Sequence, residues 1–181
     1  TARCMDDSGL TTQDRRHATG SSVLAFAANA SAAIDHAVIV RNHAGSLMVM
    51  DNATVVISNS TFDSNSGIVG AIVAAWNRSK LHVDGSHFGH NSVVYAGGAL
   101  FAHKSIVEIM GSMFTGNTAT SEYVGTGGGI ALEASGVLIV DSTFQNNTAR
   151  LAGGGVSLLV DSHLADYDLE GHDIVQSTRH P

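Results

Sequence analysis

Residues 54–66 read TVVISNSTFDSNS, and the same pattern returns as KLHVDGSHFGHNS (80–92), IVEIMGSMFTGNT (106–118) and GVLIVDSTFQNNT (136–148). Each copy places two alternating aliphatic residues before a Ser, a Phe and an Asn at fixed positions. Successive copies start 26, 26 and 30 residues apart. Five matching columns in four rows predict a repeat protein.

Three columns of the repeat keep one residue type. The Phe column consists of Phe62, Phe88, Phe114 and Phe144, and the Ser column of Ser60, Ser86, Ser112 and Ser142. The Asn column consists of Asn65, Asn91, Asn117 and Asn147, and a weaker upstream copy with Ile39 in the Phe position extends it to Asn42. We expect stacked rings inside the fold, amides that bond to one another at a bend, and small Ser residues at a tight corner.

A glycine-led block alternates with these copies. It reads GAIVA (70–74), GGALFA (97–102), GGGIAL (127–132) and GGGVSL (153–158). Its apolar residues have the period of two expected of a strand, in the equivalent pairs Ile72/Ala74, Leu100/Ala102, Ile130/Leu132 and Val156/Leu158.

The length of the repeat decides the fold class. A unit of about 25 residues is shorter than a propeller blade of about 40–45, and it lacks helical periodicity. We therefore interpret each repeat unit as one coil of an all-β solenoid, with two or three short strands. The chain would form about six such coils, stacked roughly 4.8 Å apart. We place a lead-in or partial coil at residues 1–19, the repeat domain at 20–175 and a tail at 176–181.

Composition excludes several functional classes. The chain has 181 residues, 14% charged residues and a formal net charge of −7, which argues against a nucleic-acid partner because such proteins present a basic face. No apolar run reaches the length of a membrane span. Cys4 is the only cysteine, so any disulfide would have to join it to another chain.

The paired GGA[IL] and FxxN motifs resemble the repeats of chlamydial polymorphic outer-membrane proteins and of related algal and protist surface proteins. More broadly, residues 20–175 resemble the right-handed parallel β-helix of the pectin-lyase-like superfamily, with its internal asparagine ladder. The resemblance implies a right-handed parallel β-helix. It leaves function open, because the same coils serve adhesins, structural spikes and polysaccharide enzymes.

Five asparagines lie in N-x-[ST] sequons and are candidate glycosylation sites: Asn29, Asn52, Asn59, Asn77 and Asn146. We expect Asn29, Asn52 and Asn77 to share one outward bend in three successive coils. Asn59 and Asn146 flank the Ser and Asn columns, so a structural reason for their presence competes with the glycan.

No metal site or cofactor is predicted. His82, His87, His90 and His103 fall in adjacent coils, but their positions in the repeat favour exposed polar side chains over three convergent ligands. The stretch DYDLEG (166–171) resembles the start of a calcium loop, yet Ser177 stands where a Glu ligand is expected. Calcium therefore remains an alternative to an acidic strand that discourages edge pairing.

The sequence favours a non-catalytic, extracellular or cell-surface module with a structural or adhesive role, as a segment of a larger protein or filament. Its expected partners are further repeats or other subunits, N-linked glycans and surface polysaccharide, bound at the loops 76–79 and 120–126 or on flat strand faces. The alternative is a polysaccharide lyase or glycoside hydrolase, although no Arg recurs beside stacked carboxylates.

Overall fold

The computed structural model describes residues 2–5, 24–43, 47–67, 72–159 and 163–164. These residues form only β-strands, turns and bends. In chain order the strands are β1 (Ala2–Met5), β2 (Leu24–Phe26), β3 (Ser31–Asp35), β4 (Val38–Val40), β5 (Leu47–Val49), β6 (Thr54–Ser58), β7 (Thr61–Asp63), β8 (Ser66–Gly67), β9 (Val73–Trp76), β10 (Lys80–Asp84), β11 (His87–Gly89), β12 (Ser92–Val93), β13 (Leu100–His103), β14 (Ile106–Met110), β15 (Met113–Thr115), β16 (Thr118–Ala119), β17 (Ile130–Glu133), β18 (Gly136–Val140), β19 (Thr143–Gln145), β20 (Thr148–Ala149), β21 (Val156–Leu159) and β22 (His163–Leu164).

The strands stack as four sheets around one axis, and every strand pairing except that of β1 is parallel, which confirms the all-β parallel solenoid. The sheet orders are β1-β3-β6-β10-β14-β18-β22, β2-β5-β9-β13-β17-β21, β19-β15-β11-β7-β4 and β20-β16-β12-β8. Strands from about five coils lie above one another, and β21 and β22 begin a sixth. A full coil such as β9 to β12 carries four strands, so the expectation of two or three was too low. The missed strand is the dipeptide that begins with the Ser or Thr after each ladder asparagine.

Equivalent repeat positions pair directly between coils. Leu81 lies opposite Val55 and Val107, and Phe88 lies opposite Phe62 and Phe114. Because parallel pairing repeats at each coil, a residue type that suits one level also meets its own kind above and below.

The core fills the inside of the coils. Val55, Ile57, Val83 and Ile109 have no exposed surface, and they belong to one cluster that runs through all the central coils. Burying each such side chain contributes about 1.5–3 kcal/mol of transfer free energy.

The predicted register of the glycine-led block was wrong in one coil. Val73 and Ala75, rather than Ile72 and Ala74, pair with Leu100 and Ala102. All four consecutive residues from Ile72 to Ala75 are buried, so an alternation of period two does not distinguish the two registers.

The segment predicted as a lead-in contributes one strand. β1 pairs with β3 in antiparallel fashion and covers the first edge of the seven-stranded sheet, where unpaired backbone groups would otherwise invite association. The remaining lead-in residues, the end of the repeat domain and the tail 176–181 lie outside the described residues. Among those described, no helix is long and apolar enough to cross a membrane.

Candidate functional site

The interior columns explain most of the repeat's chemistry. Neighbouring rings of Phe62, Phe88, Phe114 and Phe144 lie 4.8 Å apart between centroids, and their planes are 3–6° from parallel. The first three rings are fully buried. The stack therefore serves the fold.

The asparagine column is a continuous amide ladder from Asn42 to Asn147. Asn91 shows its unit: the Oδ1 atom accepts from the backbone N and the Nδ2 of Asn65, each at 3.0 Å. Its own Nδ2 donates to Asn117 Oδ1 at 2.9 Å and to the Phe62 carbonyl at 2.9 Å. Both polar ends of this fully buried amide are thus engaged, so the ladder is structural.

Two serine columns join the coils. In the predicted column, each hydroxyl accepts a hydrogen bond from a backbone N one coil below and donates one to the carbonyl two residues earlier in its own coil. The Ser86 hydroxyl, for example, accepts from Ser60 N at 3.1 Å and donates to Asp84 O at 2.8 Å. The second column, Ser79, Ser105 and Ser135, lies at another corner and was missed. Its signal was the Ser or Ala directly before each aliphatic strand.

All five sequon asparagines are exposed and have positive φ, between 48° and 68°. Asn is among the residues that tolerate this left-handed conformation, so the bends themselves explain its recurrence. Asn29 and Asn52 occupy equivalent positions, with Asn52 Nδ2 donating to Asn29 Oδ1 at 2.7 Å. Asn77 lies at the same bend one position earlier and donates to Asp51 Oδ1 at 3.0 Å. The three amides thus share an outward bend, but only two share a column.

This bend forms an open groove of about 410 Å³ on the outside of the coils. Its lining consists of Ala28, Asn29, Asp51, Asn52, Asn77 and Arg78. The wall is made by two-residue turns in which both residues have positive φ, such as Asp51 (54°) and Asn52 (66°). The following coil makes the same bend with one left-handed residue, Lys104, in place of two.

Histidines pair with carboxylates between neighbouring coils. His82 Nδ1 lies 3.1 Å from Glu108 Oε2, and His90 Nδ1 lies 3.0 Å from Asp63 Oδ1. His103 Nδ1 lies 3.3 Å from Glu133 Oε2, at ion-pair distance but without hydrogen-bond geometry.

Two carboxyls are held in the ionised form. Hydrogen bonds from His36, then Ser58 and Asn59, lower the pKa of Asp35 to about 2. Partial burial raises the pKa of Asp63, but hydrogen bonds from His90 and Ser64 outweigh it and leave this pKa below its ordinary value.

The arrangement of these side chains defines what the surface can do chemically. A glycoside hydrolase needs one carboxylic acid whose pKa is raised so that it stays protonated, which is the reverse of the shift at Asp35 and Asp63.

Within the described ranges, no three His, Cys, Asp or Glu side chains converge as metal ligands. The calcium-like stretch 166–171 and Ser177 lie outside those ranges, and the side chain of Cys4 does too.

Of the two predicted binding loops, residues 76–79 contain Asn77 and Arg78 of the groove. The loop 120–126 projects from the coils and exposes Tyr123.

A family model described as "Right handed beta helix region" matches residues 6–174. No curated protein and no solved structure matches the chain.

Proposed function

The chain belongs to the right-handed β-helix family, and from this premise we propose that it is a non-catalytic structural or adhesive module at the cell surface or outside the cell. It would form a rigid segment of a larger protein or filament, continued by further repeats or other subunits. The observation that carries the proposal is the set of axial ladders: the Asn amides and the Ser hydroxyls join successive coils by hydrogen bonds, and the Phe rings stack from Phe62 to Phe144. Rigidity along the axis follows, because bending would have to break several ladders at once.

Two of the surface carboxyls, Asp35 and Asp63, are unsuited to act as a general acid. Asp35 and Asp63 have lowered pKa values and are occupied by hydrogen-bond donors. A general acid in this environment would lose its proton well below neutral pH.

The second candidate is a polysaccharide lyase, which the groove favours because Arg78 and Asp51 both line it. Lyases that act on acidic sugars use a basic side chain to remove a proton and a cation to neutralise the sugar's carboxylate. The groove contains one Arg and one Asp, which is a sparse set for that reaction.

An activity assay separates these proposals. We would incubate the chain with pectate, alginate and hyaluronan, with and without calcium, and follow unsaturated and shortened products by ultraviolet absorbance and chromatography. We expect no product above the level of an Arg78→Ala variant. Steady product release by the native chain that Arg78→Ala abolishes would replace the structural proposal with the lyase.

The glycan proposal has its own test. We expect native material to carry N-linked sugar at an outward bend, with Asn52 and Asn77 as the reference positions since both are exposed. Mass spectrometry of tryptic peptides before and after enzymatic deglycosylation measures occupancy. Unmodified peptides at all five sequons would assign these asparagines to the bends alone.

A further inference from the structure

Five large apolar side chains lie exposed at one bend of three successive coils. They are Val94 and Tyr95, then Tyr123 and Val124, then Leu151, with exposed fractions from 39% to 85%. We call these five residues the apolar stripe. The ladders and the core do not use them.

The stripe runs along the solenoid axis because backbone hydrogen bonds hold the three coils in register at this bend. Ser121 N donates to Val94 O at 2.7 Å, and Leu151 N donates to Gly125 O at 2.8 Å. The five exposed side chains therefore belong to adjacent coils at one bend of the solenoid.

Its central part is an insertion that the coil does not require. Two residues, Val94 and Tyr95, connect β12 to the bridging residue Ala96, whereas six residues, 120–125, make the same connection in the next coil. The extra residues account for the 30-residue step in that coil.

The insertion is rigid. Gly125 N donates to the Ser121 carbonyl at 3.0 Å, and the Ser121 hydroxyl accepts from the backbone N of Tyr123 and Val124 at 3.3 Å. A Cβ on Gly125 would lie 2.3 Å from the Ser121 carbonyl oxygen, so only glycine fits there. A preformed loop that displays Tyr123 with 85% exposure loses little conformational entropy on binding.

We propose that the apolar stripe is a dimerisation surface whose occupant is the same stripe of a second copy of this chain. Three of its five side chains are aliphatic, and aliphatic groups suit the core of a protein–protein interface better than a sugar, which needs polar partners for its hydroxyls. The exposed parts amount to roughly 500 Å², which is in the range of the largest apolar patch on a typical monomer, a patch that is often functional. Two apposed stripes would bury about 1,000 Å², at the lower bound for a specific interface, so the dimer is weak and concentration-dependent.

The charges beside the stripe fit a two-fold arrangement. Glu122, next to Tyr123, pairs with Arg150, next to Leu151, and both side chains are more than half exposed. In a dimer whose two-fold axis passes beside this ion pair, each carboxylate would lie next to the guanidinium of the other copy as well as its own. The surface is thus complementary to itself, as a two-fold interface requires. This inference is independent of the proposed structural role, because an enzyme could dimerise through the same stripe.

Sedimentation equilibrium of the full chain tests the dimer. We expect self-association that Tyr123→Ser weakens at least tenfold, because a central exposed Tyr is a typical interface anchor. Ile106→Ser, at a similarly apolar position that is 50% exposed but outside the stripe, should leave the dissociation constant unchanged. Circular dichroism establishes that both variants are folded.

Charge exchange tests the geometry. Glu122→Arg and Arg150→Glu should each be monomeric alone, since like charges then face each other, and an equimolar mixture should regain the dimer. A native chain that stays monomeric up to about 100 µM would overturn the proposal, as that is weaker than a specific interface of this size. A dimer that persists in Tyr123→Ser, or a mixture that fails to associate, would also overturn it.

Discussion

Phe114, like Phe88, contacts a ring on each face and is therefore a central member of the Phe column. Its centroid lies 4.8 Å from Phe88 on one side and 4.8 Å from Phe144 on the other, and its own surface is fully buried. Phe114→Ala should lower the free energy of unfolding by about 3–5 kcal/mol, because both transfer energy and packing are lost. Urea denaturation measures the change.

The neighbouring Met113→Ala is the matched control, because Met113 is 46% exposed on the other face of β15. We expect that variant to stay within about 0.5 kcal/mol of the native chain. Equal effects at the two positions would mean that the stack contributes nothing specific.

Asp35 gives the fold an acid-sensitive contact between the first two coils. Its pKa lies at about 2 in the folded chain, against 3.8 as the ordinary value. A lowered folded pKa stabilises the fold above the unfolded value, and this stabilisation disappears as the pH falls from about 4 towards 2.

We therefore expect the stability of the native chain to fall more steeply between pH 4 and pH 2 than that of Asp35→Asn. Thermal melts across that range check the difference in slope. Parallel curves would show that the hydrogen bonds from His36, Ser58 and Asn59 do not favour the charged form.

At the residue scale, the sequence predicted the columns whose members meet their own kind. A Phe or Asn that recurs in each coil has one position at which it stacks, so its role can be read from the spacing. The bends were harder to predict. Asn52 and Asn77 each begin a sequon and both line the groove, yet their positions within the two-residue turn differ by one. Both residues of that turn are left-handed, so Asn can occupy either of them.

At the scale of the element, glycines at the corner before the β9–β13–β17 sheet set how closely the coils approach. A Cβ on Gly98 would lie 2.0 Å from the Gly128 carbonyl oxygen and 2.7 Å from Thr118 N. Gly98→Ala should therefore destabilise the chain by about 3 kcal/mol, at the upper end for overpacking, because the obstacle is backbone on two coils.

Gly136 is the control for this prediction, because a Cβ there would have no neighbour within 4 Å. Gly136→Ala should leave the fold intact and raise stability by about 0.4–1 kcal/mol through a less flexible unfolded chain. Denaturant melts of the two variants measured together decide the point. A neutral Gly98→Ala would mean that the corner can open without cost.

The register of β9 shows where prediction of elements stops. Ile72 to Ala75 are all buried: Ile72, Val73 and Ala75 belong to the core cluster inside the coils, and Ala74 is buried outside that cluster. A sequence with four buried residues in a row carries no alternation, and the pairing with Leu100 settles the register instead. The antiparallel β1 is likewise outside the repeat, so the repeat pattern contains no signal for it.

At the scale of the whole molecule, the coils should tolerate changes in outer loops while the ladders remain. Removing residues 121–124 would leave Thr120 and Gly125 as a two-residue connection from β16 to Thr126. The coil below makes this connection with Val94 and Tyr95, and the coil above makes it with Arg150 and Leu151. The loop contributes no side chain to the core cluster. We expect the deletion variant to unfold in one cooperative transition, with a free energy of unfolding within about 1 kcal/mol of that of the native chain, because a shorter loop also costs less closure entropy.

Circular dichroism with urea denaturation measures the cooperativity and the free energy of unfolding of this variant. Sedimentation of the same variant should give a monomer because Tyr123 and Val124 are gone. A stable fold that still dimerises would place the interface elsewhere, whereas loss of the cooperative transition would show that the insertion holds neighbouring coils together.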